Sequence, residues 1–320
     1  MDEAGLAAHW AVALVDGEEP VRFETLDVRG MSSAHLRDVI VSADLLWDFA
    51  CTVRQPILGM FRRSALIDLD PGIVQVSALK TNMALADHDV CFTVGLNVGA
   101  RDCEVPLVGL AWKPFPQFVH LPAWPVSPPP ADEASFTSVT QWGWGELHFG
   151  GRVLSVSKRD AYLHYLEVPL RSGSRFELAA NIDRVDPTGD LPRLAENGWS
   201  IVDPNVVAPD PQSYRDYIAR SRAEFCCPKP IYRELRTGWL SDRSAAFLAS
   251  GRPVVMENTG LENHLPLGEG LLCFSDPESA AEAVHRVDAD YDRHAVAARE
   301  FAEQHLAAAR ILPRMLEACA

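Results

Sequence analysis

From Phe136 onward, short apolar runs alternate with segments of helical character, and turn residues separate them. "FTSVTQW" (Phe136–Trp142), "RFELAANI", "WSIVDP", "AEFCCPKP", "PVVMEN" and "GLLCFS" read as strands. Between them fall a helix in "KRDAYLHYLEVPLRSG", expected to end before Pro169, and a short one in "TGDLPRLAENG", closed by Gly198. "PQSYRDYIARS" and the middle of "TGWLSDRSAAFLASG" give two more, and further helices close the chain from Asp276. Strands that are apolar along their whole length are buried on both faces, which requires helices on both sides of a parallel sheet. With right-handed crossovers, that pattern gives a Rossmann-like domain.

Upstream, "LPAWPVSPPPADEAS" is rich in proline, which blocks regular structure and stiffens the chain. It reads as a linker, dividing the chain into 1–121, 122–135 and 136–320. The first part is a poorer α/β pattern. "SSAHLRDVIVSA" is helical with Ser32 or Ser33 as its cap; "DLLWDFA", "SALIDLD" and "DVCFTVGLN" are strands; "VQVSALKTNMALADH" is a helix; "QFVHLP" is a candidate fourth strand.

With 44 acidic against 29 basic residues the net charge is -15, which argues against nucleic acid and anionic membranes as general partners. It leaves room for a small basic pocket. No apolar run reaches the roughly 20 residues of a bilayer span, and "MDEAGLAAHW" lacks the basic start of a signal peptide. Seven cysteines, without C-x-x-C spacing, read as reduced thiols in a cytoplasmic protein rather than as a zinc site.

The segment "GWLSDRS" has the most chemical content. Ser241 is placed to cap the following helix, with Asp242, Arg243 and Ser244 in its first turn. The free amides there carry the positive end of the helix dipole and can hold a phosphate, although every helix needs a cap and most capped helices bind nothing. In "DLD", Asp68 and Asp70 fall on one strand face. The spacing is that of a metal-binding D-x-D, but Pro71-Gly72 follows as a plain turn, and Asp70 remains a candidate base or acceptor contact. "GWGELHFGG" lacks the dinucleotide-binding spacing, and no P-loop, H-E-x-x-H or G-x-S-x-G is present. His120 and His264 could face a cleft or serve packing. Trp112, Trp124, Trp142 and Trp144 read as core or hinge packing, though tryptophan also stacks on sugar rings.

From Ala223 to Ala283 the sequence resembles the C-terminal domain of GT-B glycosyltransferases of the "glycosyl transferases group 1" type. The matching words are "GWLSDRSAAFLASGRPVV", "NTG" and "LPLGEGLLCFSDPESAAEAV". The resemblance implies two Rossmann-like domains facing across a cleft, the second holding a nucleotide-diphosphate sugar and the first an unknown acceptor. It implies sugar transfer without a cofactor or an obligatory metal, helped by cations and amides that stabilise the leaving diphosphate. By position, the donor residues would be Lys158 after the first strand of the second domain, Lys229 at the end of "AEFCCPK", and Ser241, Asp242, Arg243 and Ser244. Thr259 and Gly260 would admit the ligand close to the backbone, and Glu269 would meet a hydroxyl. Lys158 reads equally as a solvated lysine, Arg243 as a partner of Asp242, and Glu269 as a turn cap.

Two departures stand out. The paired glutamates common in that family fall on Gly238 and Ala246, neither acidic. The opening "MDEAGLAAHWAVALVDGEEP" does not read as a buried strand and glycine loop, so the N-terminal domain is expected to be reduced, or to start upstream. Besides a glycosyltransferase, a non-catalytic GT-B-like binding or regulatory protein and a nucleotide-sugar epimerase remain alternatives.

Overall fold

The structure is a computed structural model describing residues 9–15, 21–49, 51–183 and 185–320. Much of the opening segment discussed above, residues 1–8 and 16–20, lies outside them. Strands β1 (Ala11–Leu14) and β2 (Asp27–Gly30) form an antiparallel pair. Helix α1 (Ser33–Ser42) is capped by Ser32, whose hydroxyl accepts from the His35 amide.

Strands β3 (Leu46–Phe49), β4 (Ser64–Asp68), β5 (Val90–Thr93) and β6 (Trp112–Pro114) make a parallel sheet in that order. β4 is buried at every residue, with its apolar centre Ala65–Ile67 covered on both faces. Helix α2 (Ile73–Ala78) is shorter than expected. Asn82 Oδ1 accepts from the amide of Ala84, itself left-handed at φ 55°, and this local turn competes with continuation of the helix. The fourth strand is "WKP", not "QFVHLP"; Val119 makes a single bridge, to Ala307. Proline is tolerated in β6 because the strand lies at the sheet edge.

The second lobe begins with β7 (Phe136–Thr140) and an antiparallel hairpin, β8 (Glu146–Phe149) and β9 (Arg152–Ser155). Gly150 and Gly151 join the hairpin strands with φ of 58° and 76°, the backbone that a two-residue hairpin turn needs. Then come α3 (Lys158–His164), α4 (Val168–Ser172), β10 (Phe176–Ala180), α5 (Asp190–Glu196), β11 (Trp199–Val202), α6 (Pro204–Val207) and α7 (Pro211–Arg220). Pro169 does not simply end a helix: it sits in the first turn of α4, where a missing amide hydrogen costs nothing. The lobe continues with β12 (Ala223–Cys226), α8 (Pro230–Glu234), α9 (Asp242–Ala249), β13 (Val254–Glu257), β14 (Leu271–Phe274), α10 (Pro277–Ala289), α11 (Tyr291–Phe301) and α12 (Ala308–Cys319).

The six strands of this lobe's main sheet are all parallel, in the order β11-β10-β7-β12-β13-β14. The chain builds outward from β7 to one edge, then returns to β12 and builds to the other. Crossovers on either side of this reversal leave opposite faces of the sheet, opening a crevice at the carboxyl ends of β7 and β12. Cys226 and Cys227 are both buried, because helices cover both faces.

The lobes are joined on one side by Asn97. Its Nδ2 donates to the carbonyls of Arg236 (3.0 Å) and Gly260 (2.9 Å), and its backbone amide to that of Thr237 (3.1 Å). The last helix, α12, returns to the first lobe, where Lys113 donates to the Ala318 carbonyl and Arg63 to that of Ala320. Gly260 has φ +99°, and a Cβ there would lie 2.4 Å from Asn97 Nδ2. Gly260→Ala is therefore expected to destabilise the chain by about 2–4 kcal/mol through backbone strain and overpacking. Denaturant unfolding checks this, and an unchanged midpoint would show that the joint does not need the glycine.

Candidate functional site

A cavity of about 590 Å³ lies at this crevice, between the two sheets. Thr140 ends β7, and Gln141 and Trp144 follow it; Lys158 opens α3; Asn181 and Asn205 follow β10 and β11. Lys229 and Tyr232 come from the start of α8, and Asp242 and Arg243 from the first turn of α9. Leu69 and Asp70, after β4, and Gln117, after β6, close it from the first lobe. Most of these residues stand just beyond the carboxyl end of a parallel strand, where open α/β sheets hold ligands.

The charges on the wall are unequally matched. Lys229 Nζ donates to Asp70 Oδ1 at 2.7 Å, and the Tyr232 hydroxyl donates to the same oxygen. Burial acts to raise the Asp70 pKa, but Lys229 and Tyr232 outweigh it and hold the carboxyl below its ordinary value. Arg243 Nη1 lies 3.4 Å from Asp242 Oδ1, while its Nε has no hydrogen-bond partner among the described residues. Burial opposes the Arg243 charge, yet the Asp242 carboxylate keeps it firmly cationic. Lys158 is 6% exposed, and its ammonium has no hydrogen-bond partner among the described residues. Burial, and then repulsion from Arg243, push its pKa down to about 8. It remains largely charged at neutral pH, 5.9 Å from the Trp239 ring centroid.

Ser241 caps α9 by accepting from the Arg243 amide at 3.1 Å, but it is fully buried and does not line the cavity. Ser244 is also buried and donates to Glu224 Oε2 at 2.5 Å. Glu224 lies beneath the cationic wall, and burial drives its pKa up.

Several expected positions fall elsewhere. The Thr259 hydroxyl donates to the Trp239 carbonyl, so it fastens one loop to another. Gly260 does admit a close neighbour, but that neighbour is Asn97 rather than a ligand. Glu269 is ion-paired with Arg293 away from the cavity. Asp68 and Asp70 do not act as a pair. Asp68 is buried, accepts from Gln75 (2.7 Å), Thr93 (2.8 Å) and the Asp70 amide (2.9 Å), and is pushed up to about 6 by burial. It shapes the turn that presents Asp70. His264 Nε2 lies 2.7 Å from Asn97 Oδ1, a joint contact.

Trp144, Tyr232, Gln117, Gln141, Asn181 and Asn205 were not expected in the wall. Trp144 is 67% exposed, so it is not packing a core; its place two residues after the buried Trp142 was the available signal. Tyr232 carried no signal, since its role depends on a contact with a residue 162 positions away.

Two Rossmann-like lobes, one with the 3-2-1-4-5-6 strand order and a cationic cavity at its switch point, define a GT-B fold. Residues 173–317 match the family described as glycosyl transferase-like. An alpha-glucosyltransferase solved with UDP-glucose and DNA containing an abasic site is similar in structure, at 14% identity and a TM-score of 0.57, over 89% of this chain and 82% of that one. Anabaena Alr3699/HepE, solved with UDP and glucose, is similar at 14% identity and a TM-score of 0.57, over 89% and 80%. Sucrose-phosphate synthase from Thermosynechococcus elongatus is similar at 13% identity and a TM-score of 0.55, over 90% and 77%. No curated protein matches the sequence significantly.

The exclusion of nucleic acid drawn from net charge does not stand. A glucosyltransferase similar to this chain in structure is seen in complex with DNA. Whole-chain charge is a sum, whereas a partner meets a local field, so the acidic balance does not decide this point. Among the described residues, no helix is long and apolar enough to cross a membrane.

Proposed function

We propose that the chain is a glycosyltransferase that moves a sugar from a nucleoside-diphosphate-sugar donor to an acceptor held against the first lobe. The observation that carries this reading is the buried Lys158 ammonium, which has no hydrogen-bond partner among the described residues and shares a cavity at the sheet's switch point with Arg243 and Lys229. Burying an ammonium without a partner is costly, and a diphosphate supplies the missing anion. As the sugar leaves, charge grows on the diphosphate, and fixed cations stabilise that charge more than they stabilise the bound donor. Trp144 offers an exposed ring for stacking on the base or sugar. Asp70, the first lobe's carboxylate in the cavity, is the candidate acceptor contact or base. We take 1–121 as the acceptor-side domain, 122–135 as the linker and 136–320 as the donor domain. Seven free cysteines, five of them buried, fit a reducing compartment, and we assign the chain to the cytoplasm.

A second reading, a nucleotide-binding relative without transfer, is favoured by the missing glutamates. At Gly238, with φ of 68°, a Cβ would lie 2.9 Å from the Asn97 amide nitrogen, and Ala246 is buried within α9. Thermal unfolding with UDP, GDP and dTDP tests the shared premise. A nucleotide held only by the native state adds about 2.7 kcal/mol at a hundred times its Kd, so one of the three is expected to raise Tm. No shift with any of them overturns the donor site; a shift without hydrolysis of the matching sugar donor favours the second reading.

A further inference from the structure

A second cavity, of about 450 Å³, lies between the ends of β5 and β6, the turn at His264–Leu265 and α12. It shares no lining residue with the donor cavity. Its floor is apolar: Phe92, Phe115, Leu265, Ile311 and Met315 are each at most 8% exposed. Its rim is cationic. Lys113, Arg310 and Arg314 line it together with His264 and His305, and no aspartate or glutamate does. In a chain with 44 acidic and 29 basic residues, this is a local reversal of sign.

The arginines stand four residues apart on α12, where like charges repel and weaken a helix. Arg310 donates to the Gln304 carbonyl and Lys113 to that of Ala318, while Arg314 has no partner among the described residues. Neither arginine is ion-paired among the described residues, and both are exposed at the rim, where an anion seated on the floor could reach them.

We propose that this cavity is a second ligand site, for a small amphipathic anion. Its apolar body, an aryl ring or medium-length acyl chain, seats on Phe92, Phe115 and Ile311, and its acidic head is held by Arg310 and Arg314. The volume is in the range of ordinary small-molecule sites, and an apolar floor with a few convergent charges is their usual make-up. A neutral ligand would leave the arginines unmatched, and inorganic phosphate would leave the floor uncovered. The site does not depend on the sugar-transfer reading.

Decyl phosphate, below its micelle concentration, is the probe, titrated calorimetrically into the full chain. Saturable one-to-one binding is expected, with decan-1-ol and inorganic phosphate each about tenfold or more weaker. Arg310→Gln with Arg314→Gln, both at exposed positions, is expected to weaken decyl phosphate about tenfold or more while leaving nucleotide-induced stabilisation intact. Lys158→Met is expected to leave decyl phosphate binding unchanged. Absent binding, equal binding by the double arginine variant, or equal affinity for decan-1-ol would overturn the proposal. So would association only with phosphatidylglycerol vesicles and not with monomeric decyl phosphate, which would make this face a membrane contact instead.

Discussion

Lys158→Met is expected to bind its nucleoside diphosphate about a hundredfold more weakly than the parent chain, yet to unfold at a higher temperature. Both effects come from one ammonium. It is buried without a hydrogen-bond partner among the described residues and has its pKa lowered from 10.5 to about 8. At neutral pH the folded state carries that charge at a cost on the order of 3 kcal/mol, which methionine, similar in length and apolar, removes. Lost affinity is on the scale of one or two charge-assisted hydrogen bonds.

The pH dependence has a fixed sign. The folded pKa lies below the unfolded one, so the penalty is full below about 8 and fades as pH rises toward 10.5. The stability gap between variant and parent should therefore close over that window. Nucleotide affinity of the parent should fall above about pH 8, as the free chain loses its proton. Denaturant titrations and calorimetric binding at several pH values measure both. A variant that binds nucleotide like the parent removes Lys158 from the donor site; one that is less stable contradicts its isolation.

Asp70→Asn is expected to slow sugar transfer about 10²- to 10⁴-fold while tightening nucleoside diphosphate binding about three- to tenfold. Asp70 holds Lys229 at 2.7 Å and also accepts from Tyr232. The carboxylate thus competes for a cation that the diphosphate would use, and the neutral amide competes less. Once the donor engages Lys229, Asp70 loses its main neutralising partner and its pKa rises, making it a better base toward an acceptor hydroxyl. Losing a general base costs about 10²- to 10⁴-fold in rate. Lys229→Ala should weaken binding about tenfold or more, and by a larger factor in the Asp70→Asn background, because the amide leaves the lysine free. Nucleotide titrations and donor turnover across the four proteins decide it. Weaker binding in Asp70→Asn would show that the pair supports the site rather than competes within it.

The second lobe was readable because strands such as β13 and β14 are covered on both faces, leaving largely apolar runs between helices. The convergence of Lys158, Lys229, Asp242 and Arg243 followed from the same pattern, since each stands just after a strand or at a helix start. Asp70 was readable as a cleft residue for the same reason. Its neutralisation was not, because Lys229 lies 159 positions away. Thr259, Gly260 and Glu269 share turn chemistry with ligand-contacting loops, and only packing against Trp239, Asn97 and Arg293 distinguishes them. The β8–β9 hairpin was passed over because its glycines were tested for a dinucleotide motif and not for a turn. "WKP" was missed because its single ladder, along the sheet edge, needs little sequence pattern.

That hairpin has a mechanical consequence. It is the piece of chain that leads from Trp144 to Lys158, and it reaches across to the first lobe through the Arg152–Glu104 pair and the packing of β8 against α2. The aromatic wall, the lone ammonium and a bridge between the halves are therefore cut from one ribbon. Any sliding of one half past the other is geared directly to the surface that would greet the incoming sugar.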